Sequence, residues 1–181
     1  SSAATALISN YAAQLMAEYP TLWPETVRGL LVHSARWTTR MYERYGVLLA
    51  AHSAKVAKET MLRTVGYGVP DLERAKFSLS NEFTMVSENV IRPFTKKPDA
   101  SASEDPKLNK MQLYQLPWPS DVLRGLPSDQ DVKLKVTLSY FIEPNPSRRG
   151  FKKRYSYQSH ALRFDVIKPG QHIDNFKAQV N

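Results

Sequence analysis

Two adjacent serines open the chain and are the side chains best suited to chemistry. Ser1 and Ser2 precede a segment rich in small residues that runs to Ala13. A serine hydroxyl becomes an effective nucleophile only when a base lies within hydrogen-bond reach. At a helix N-terminus its own N–H could also stabilise an oxyanion, because the helix dipole is positive there. The same two residues are typical of simple N-caps, and from the residues alone the capping role is the favoured interpretation.

The four histidines offer no base or metal ligand by their spacing. They are His33, His52, His160 and His172. None has a partner at the i, i+4 separation typical of metal ligands. The apolar surroundings of His33, beside Ser34, favour a core or capping role. We therefore do not expect these histidines to form a separate serine-hydrolase arrangement within this chain alone.

Composition excludes several kinds of site. The chain has no cysteine, which rules out disulfides, thiolate nucleophiles and zinc–sulfur centres. No run of eighteen apolar residues is present, so no membrane span is predicted. The net charge of +8 is interpreted as a basic soluble surface, with an anionic partner as the alternative.

One basic segment carries aromatic residues among its charges. The segment 148–155 contains three arginines and two lysines together with Phe151 and Tyr155. Such a mixture can bind phosphates and stack bases. A solvated hairpin tip explains it more simply, and we favour that interpretation.

The first half of the sequence has the helical period. A first helix is predicted to end at Tyr19-Pro20, and a second to begin near Pro24-Glu25. A third helical segment stops before Gly66, where a cluster of helix-breaking residues begins. The inward face of the second helix is predicted to consist of Val27, Leu30, Leu31 and Ser34.

The second half alternates with period two. Apolar side chains occupy every second position from Val132 to Tyr140, and 162–166 alternates in the same way. This pattern predicts strands whose apolar residues share one buried face. We therefore predict two domains. Residues 1–78 would be the C-terminal, mainly helical segment of an α/β domain, and residues 79–181 an all-β sandwich of jelly-roll type.

Three motifs in sequence order resemble the subtilisin-like serine proteases, the subtilase family. Ser2-Ala3-Ala4-Thr5-Ala6 is similar to the end of the family's nucleophile signature, with Ala6 in the place of proline and Ser1 in that of threonine. The segments 23–28 and 30–35 resemble the family's next helix. Gly66-Tyr67-Gly68-Val69-Pro70-Asp71 resembles the turn that closes its protease domain. The remainder resembles a β-rich appendage found in a bacterial subgroup.

The resemblance implies a serine endopeptidase that works through an acyl-enzyme. Ser2 would be the nucleophile and the backbone oxyanion donor, with Ser1 as the alternative register. The Asp and His of the triad, like the family's asparagine oxyanion donor, would precede this chain.

No organic cofactor is implied by the resemblance. Calcium is common in the family, but no acidic loop here indicates a site. The expected partners are a polypeptide substrate and the upstream part of the protease domain, rather than nucleic acid or a membrane. The rival hypothesis is a non-catalytic basic β-domain module that binds an anionic partner.

Overall fold

The protein is mainly helical in the part of the chain that the structure describes. A computed structural model describes residues 2–51, 53–80, 84–92, 94–95, 107–109, 111–116, 118–142, 162–168 and 170–180. The helices are α1 (Ser2–Glu18), α2 (Pro24–Ser34), α3 (Thr39–Ala51), α4 (Ala54–Val65), α5 (Leu72–Ser80), α6 (Ser120–Arg124) and α7 (Ile173–Val180). The strands are β1 (Phe94–Thr95) and β2 (Lys107–Leu108), which pair antiparallel.

Three helices build the main core. Helix α2 packs against both α1 and α5, and α1 also contacts α5. Leu15 of α1 and Ala75 of α5 have no exposed surface. The remaining core residues are Val27, Leu30 and Leu31. The predicted inward face of α2 is confirmed, because these three residues and Ser34 are all buried.

A helical hairpin follows the first pair of helices. Helices α3 and α4 pack against each other. Ala57 and Met61 of α4 are almost fully buried. Helix α4 ends at Val65, directly before Gly66, as the breaker cluster predicts. The predicted boundaries at Tyr19-Pro20 and Pro24 are likewise confirmed.

The predicted all-β sandwich is wrong. Residues 132–142 and 162–168 belong to no paired strand, and β1 with β2 is the only strand pair among the described residues. Apolar side chains of the predicted inward face, such as Val132 and Leu138, are exposed. The reason is that period two specifies an extended backbone with two distinct faces, whereas a sheet also needs a neighbouring strand edge. The polar face of 135–139 instead contacts α2.

The chain divides into two compact units, Ser1–Ser139 and Tyr140–Asn181. Within the second unit, α7 buries Phe176, and a hydrogen bond of 3.1 Å joins Gln171 Nε2 to Gln179 Oε1. The predicted division into 1–78 and 79–181 stays a prediction. None of the described helices is long and apolar enough to cross a membrane.

Candidate functional site

Ser2 is the first residue of α1 and is exposed. The N–H groups of a first helical turn have no acceptor within the helix, and the helix dipole makes this end positive. An exposed hydroxyl at this position can approach a ligand, and its backbone N–H can donate to a developing negative charge. The alternative nucleophile, Ser1, lies outside the described residues.

The C-terminal half of α1 fixes the direction of the helix. Leu15 is fully buried, and Ile8, Tyr11 and Ala12 pack partly against the same core. Near the end of the helix, Lys76 Nζ of α5 lies 3.0 Å from Glu18 Oε2. The hydrogen bond to Glu18 raises the pKa of Lys76. Helix α1 is thus anchored at its C-terminal end, the end opposite Ser2.

The Gly66–Asp71 turn packs against the residues that follow α2. Arg36 and Val69 exchange two backbone hydrogen bonds of 3.1 and 2.9 Å. Gly68 has φ of +99°, and a Cβ at this position would lie 2.2 Å from the carbonyl oxygen of Arg36. The indole Nε1 of Trp37 donates to the Gly66 carbonyl at 2.9 Å. Glycine is required at position 68 because of both its backbone conformation and this close approach.

Ser34 links α2 to the start of α5. Its hydroxyl is fully buried, donates to the Leu31 carbonyl at 2.9 Å and accepts from the Asp71 N–H at 3.1 Å. Asp71 in turn caps α5, since its Oδ1 accepts from the Arg74 N–H at 3.0 Å. The motif that resembles the closing turn of the subtilases is therefore a structural element that connects α2 to α5.

An open pocket of about 660 Å³ lies beside this turn. Its walls include Tyr11 of α1, Trp37 and Asp71. Tyr11 follows Ser2 by nine residues, which corresponds to roughly 13.5 Å along a helix axis. Ser2 is not among the lining residues, so this pocket does not surround the candidate nucleophile.

The described histidines lie at different kinds of site. His33 of α2 is half-buried, and its Nδ1 lies 2.8 Å from Thr137 Oγ1. Burial, and secondarily the charge of Lys135, lower the pKa of His33. In the second unit, His172 Nδ1 lies 3.3 Å from Asp174 Oδ2, at an exposed position. His52 and His160 lie outside the described residues, as does the basic segment 148–155.

The described residues contain no group of three or more histidine, aspartate or glutamate side chains that could hold a metal ion.

One polar contact at the start of α2 was not predicted from the sequence. Glu88 Oε1 accepts from the backbone N–H of Trp23 at 2.8 Å and from the Thr26 hydroxyl. It thereby caps the N-terminus of α2, where a negative charge also interacts favourably with the helix dipole. Because Glu88 is more than sixty residues from this helix in sequence, no local pattern could have revealed it.

Comparisons with known proteins support the resemblance for the first part of the chain. Residues 1–68 match the model of the subtilase family. This region includes α1, α2, α3, α4 and the two turn glycines, and it is therefore subtilase-like. The match extends over fewer than half of the residues.

A curated relative matches the chain more broadly. The uncharacterized protein y4bN of Sinorhizobium fredii (strain NBRC 101917 / NGR234) is 23% identical over 177 aligned positions, which cover 91% of this chain and 35% of that protein. The chain thus spans about a third of the length of this relative. No solved structure matches the chain.

Proposed function

We propose that this chain is the nucleophile-bearing part of a subtilisin-like serine endopeptidase. The observation that carries the proposal is the coincidence of two features at Ser2. Ser2 lies within the region that matches the subtilase family, and the serine whose surroundings resemble the family's nucleophile signature is the first residue of α1. The reaction is hydrolysis of peptide bonds through an acyl-enzyme on the Ser2 hydroxyl.

The arrangement at Ser2 supports two roles for this residue. Its exposed hydroxyl can attack a peptide carbonyl once a histidine removes the proton. Its backbone N–H, at the positive end of a 17-residue helix, can donate to the oxyanion that forms. The proposed substrate is a polypeptide, and the proposed mechanism uses no cofactor.

The proposal assigns the Asp and His of the triad to a part of the protein outside these 181 residues. In the order that subtilases use, both precede the serine. The relative that matches this chain is about three times as long, a length that has room for such a part. The exposed first turns of α1, with Leu7 49% exposed, offer an apolar surface on which it could pack. Nucleic acid has no role in this proposal.

A reactive fluorophosphonate tests the proposal directly. The full-length protein that contains this chain is expected to be labelled at Ser2, and Ser2→Ala should abolish the labelling. The isolated 181-residue chain should remain unlabelled, because it lacks the base that activates the hydroxyl. A folded, full-length protein that hydrolyses peptides without labelling at Ser2 would disprove the assignment. Stoichiometric labelling of the isolated chain would disprove the dependence on upstream residues.

A further inference from the structure

A segment that belongs to no helix or strand contacts α2 through hydrogen bonds. We call residues 135–139 the strap. Its order along the helix is reversed, since Lys135 contacts the C-terminal end of α2 and Ser139 contacts residues one to two turns earlier. The strap belongs to the same compact unit as α2, but it follows the helix by about a hundred residues in sequence.

Polar contacts from alternate strap residues hold it on α2. Lys135 Nζ donates to the carbonyl of His33, Thr137 Oγ1 lies 2.8 Å from His33 Nδ1, and Ser139 Oγ accepts from Arg28 Nε at 3.0 Å. Gly29 permits the close approach at the far end, because a Cβ there would lie 3.3 Å from Ser139 Cβ. The central contact of the three is made by His33, whose imidazole ring can gain a proton.

The apolar side chains of the strap are only partly buried. Val136 and Leu138 alternate with the residues that contact α2 and are 42% and 41% exposed. The attachment therefore depends on hydrogen bonds, each of which contributes only about 0.5–1.5 kcal/mol net. A contact of this kind can be opened by one unfavourable charge.

The surroundings of His33 are cationic. Lys135 of the strap faces it, and Arg28 holds the far end of the strap. Burial, and secondarily the charge of nearby Arg36, lower the pKa of Lys135. Helices α1 and α5 pack against the opposite, apolar face of α2. Glu88 binds at the helix N-terminus, two turns away. A proton on His33 would thus add a positive charge beside Lys135.

We propose that the strap is a pH-sensitive latch, closed on α2 while His33 is neutral and released when His33 is protonated. The sign follows from the lowered pKa of His33 in the closed state. Above the ordinary histidine value of 6.5 the ring is neutral in both states, and the latch has its full stability. As the pH falls below 6.5, the released state gains the proton first, so the latch weakens until the closed state is protonated too.

A spin label on the strap measures this opening. The chain has no cysteine, so Leu138→Cys places a single nitroxide at an exposed strap position. In the 181-residue chain, the label should be immobilised at pH 8. The mobile fraction should rise as the pH falls from 6.5 to 5. In this range one proton changes the opening equilibrium by up to about tenfold per pH unit. Far-UV circular dichroism should stay constant over the same range.

Two histidine variants provide the decisive comparison. His33→Gln keeps a hydrogen-bonding side chain but cannot titrate, so its strap should stay closed from pH 8 to pH 5. His172→Gln, a matched change in the second unit, should behave like the wild type. The proposal fails if His33→Gln shows the same rise as the wild type. It also fails if the wild-type label is fully mobile at pH 8, shows no rise, or becomes mobile only with loss of helix.

Discussion

At the scale of single residues, Ser2 and Gly68 have the most sharply defined roles. The proposed role of Ser2 is chemical and depends on a hydroxyl at the start of α1. The role of Gly68 is conformational and depends on the absence of a side chain. Substitutions at the two positions should therefore affect different properties, activity in one case and stability in the other.

Ser2→Ala in the full-length protein should abolish peptide hydrolysis. Loss of a triad nucleophile typically lowers turnover by roughly a million-fold. Ser1→Ala is the matched control and should cost only the stability of a helix cap, about 1 kcal/mol. Peptidase assays on both variants check the register. The reverse outcome, with Ser1 essential and Ser2 dispensable, would show that the assignment is displaced by one residue.

Gly68→Ala should destabilise the chain. The left-handed backbone conformation alone costs of order 1–3 kcal/mol for a residue with a Cβ, and the collision with the Arg36 carbonyl adds to this. Gly46→Ala is the control, because Gly46 lies within α3 with no atom within 4 Å of an added Cβ. It should be stabilising by roughly 0.5–1 kcal/mol. Urea unfolding of both variants measures the difference, and equal effects would contradict the account of the turn.

At the scale of elements, the three-helix core and the strap differ in what holds them. Helices α1, α2 and α5 are joined by fully buried apolar side chains, whereas the strap is attached through polar contacts. Truncation of a leucine should therefore lower the free energy of unfolding much more in the three-helix core than in the strap.

Leu15→Ala should cost about 2–5 kcal/mol of unfolding free energy, because the residue is fully buried and its removal leaves a cavity. Leu138→Ala removes the same atoms from an exposed strap position and should change stability by less than roughly 0.5 kcal/mol. Urea unfolding of the two variants compares them directly. A large loss for Leu138→Ala would indicate that the apolar face of the strap is buried after all.

The sequence predicted the helices better than the segment from Val132 to Tyr140, for a physical reason. The inward face of α2 could be read from its period, since residues three and four apart share one side of a helix. Helix-breaking proline and glycine residues correctly placed the ends of α1 and α4 at Tyr19-Pro20 and Gly66. The strands predicted from the alternation between Val132 and Tyr140 are wrong, because alternation alone does not specify which neighbour the segment packs against. Here the neighbour is a helix whose His33 and Arg28 bind polar side chains.

The candidate site could be predicted only in part. The motif around Ser2 predicts a nucleophile at a helix start, and the helix does begin there. The contacts of Glu88 and of Ser139 could not be foreseen, because they join residues more than sixty positions apart through side chains with no local signature. Such contacts depend on tertiary packing rather than on period or propensity.

At the scale of the whole molecule, residues beyond Ser80 stabilise the subtilase-like region. Glu88 caps the start of α2, and the strap covers its outer side. Both contacts lie within the first compact unit, Ser1–Ser139. The family match ends at residue 68, so this unit contains considerably more of the chain than the matched region.

Glu88→Ala should lower the stability of the chain by about 0.5–2 kcal/mol, the usual cost of losing a helix N-cap. Glu88→Gln retains an acceptor oxygen and should lose less. Glu43→Ala, a change on the exposed side of α3, is the control and should be nearly neutral. Thermal unfolding followed by circular dichroism ranks the three variants. If Glu88→Ala melts like the control, the cap does not contribute to stability.

The Glu88 cap also bears on where the protein can be shortened. A chain that ends at Ser80 would keep every helix of the main core but lose Glu88 and the strap, so the N–H of Trp23 would lose its acceptor. A chain that ends at Ser139 would keep both. Limited proteolysis should therefore release a resistant fragment that extends well past residue 80. A boundary chosen from the family match alone would yield a piece with its second helix partly uncapped.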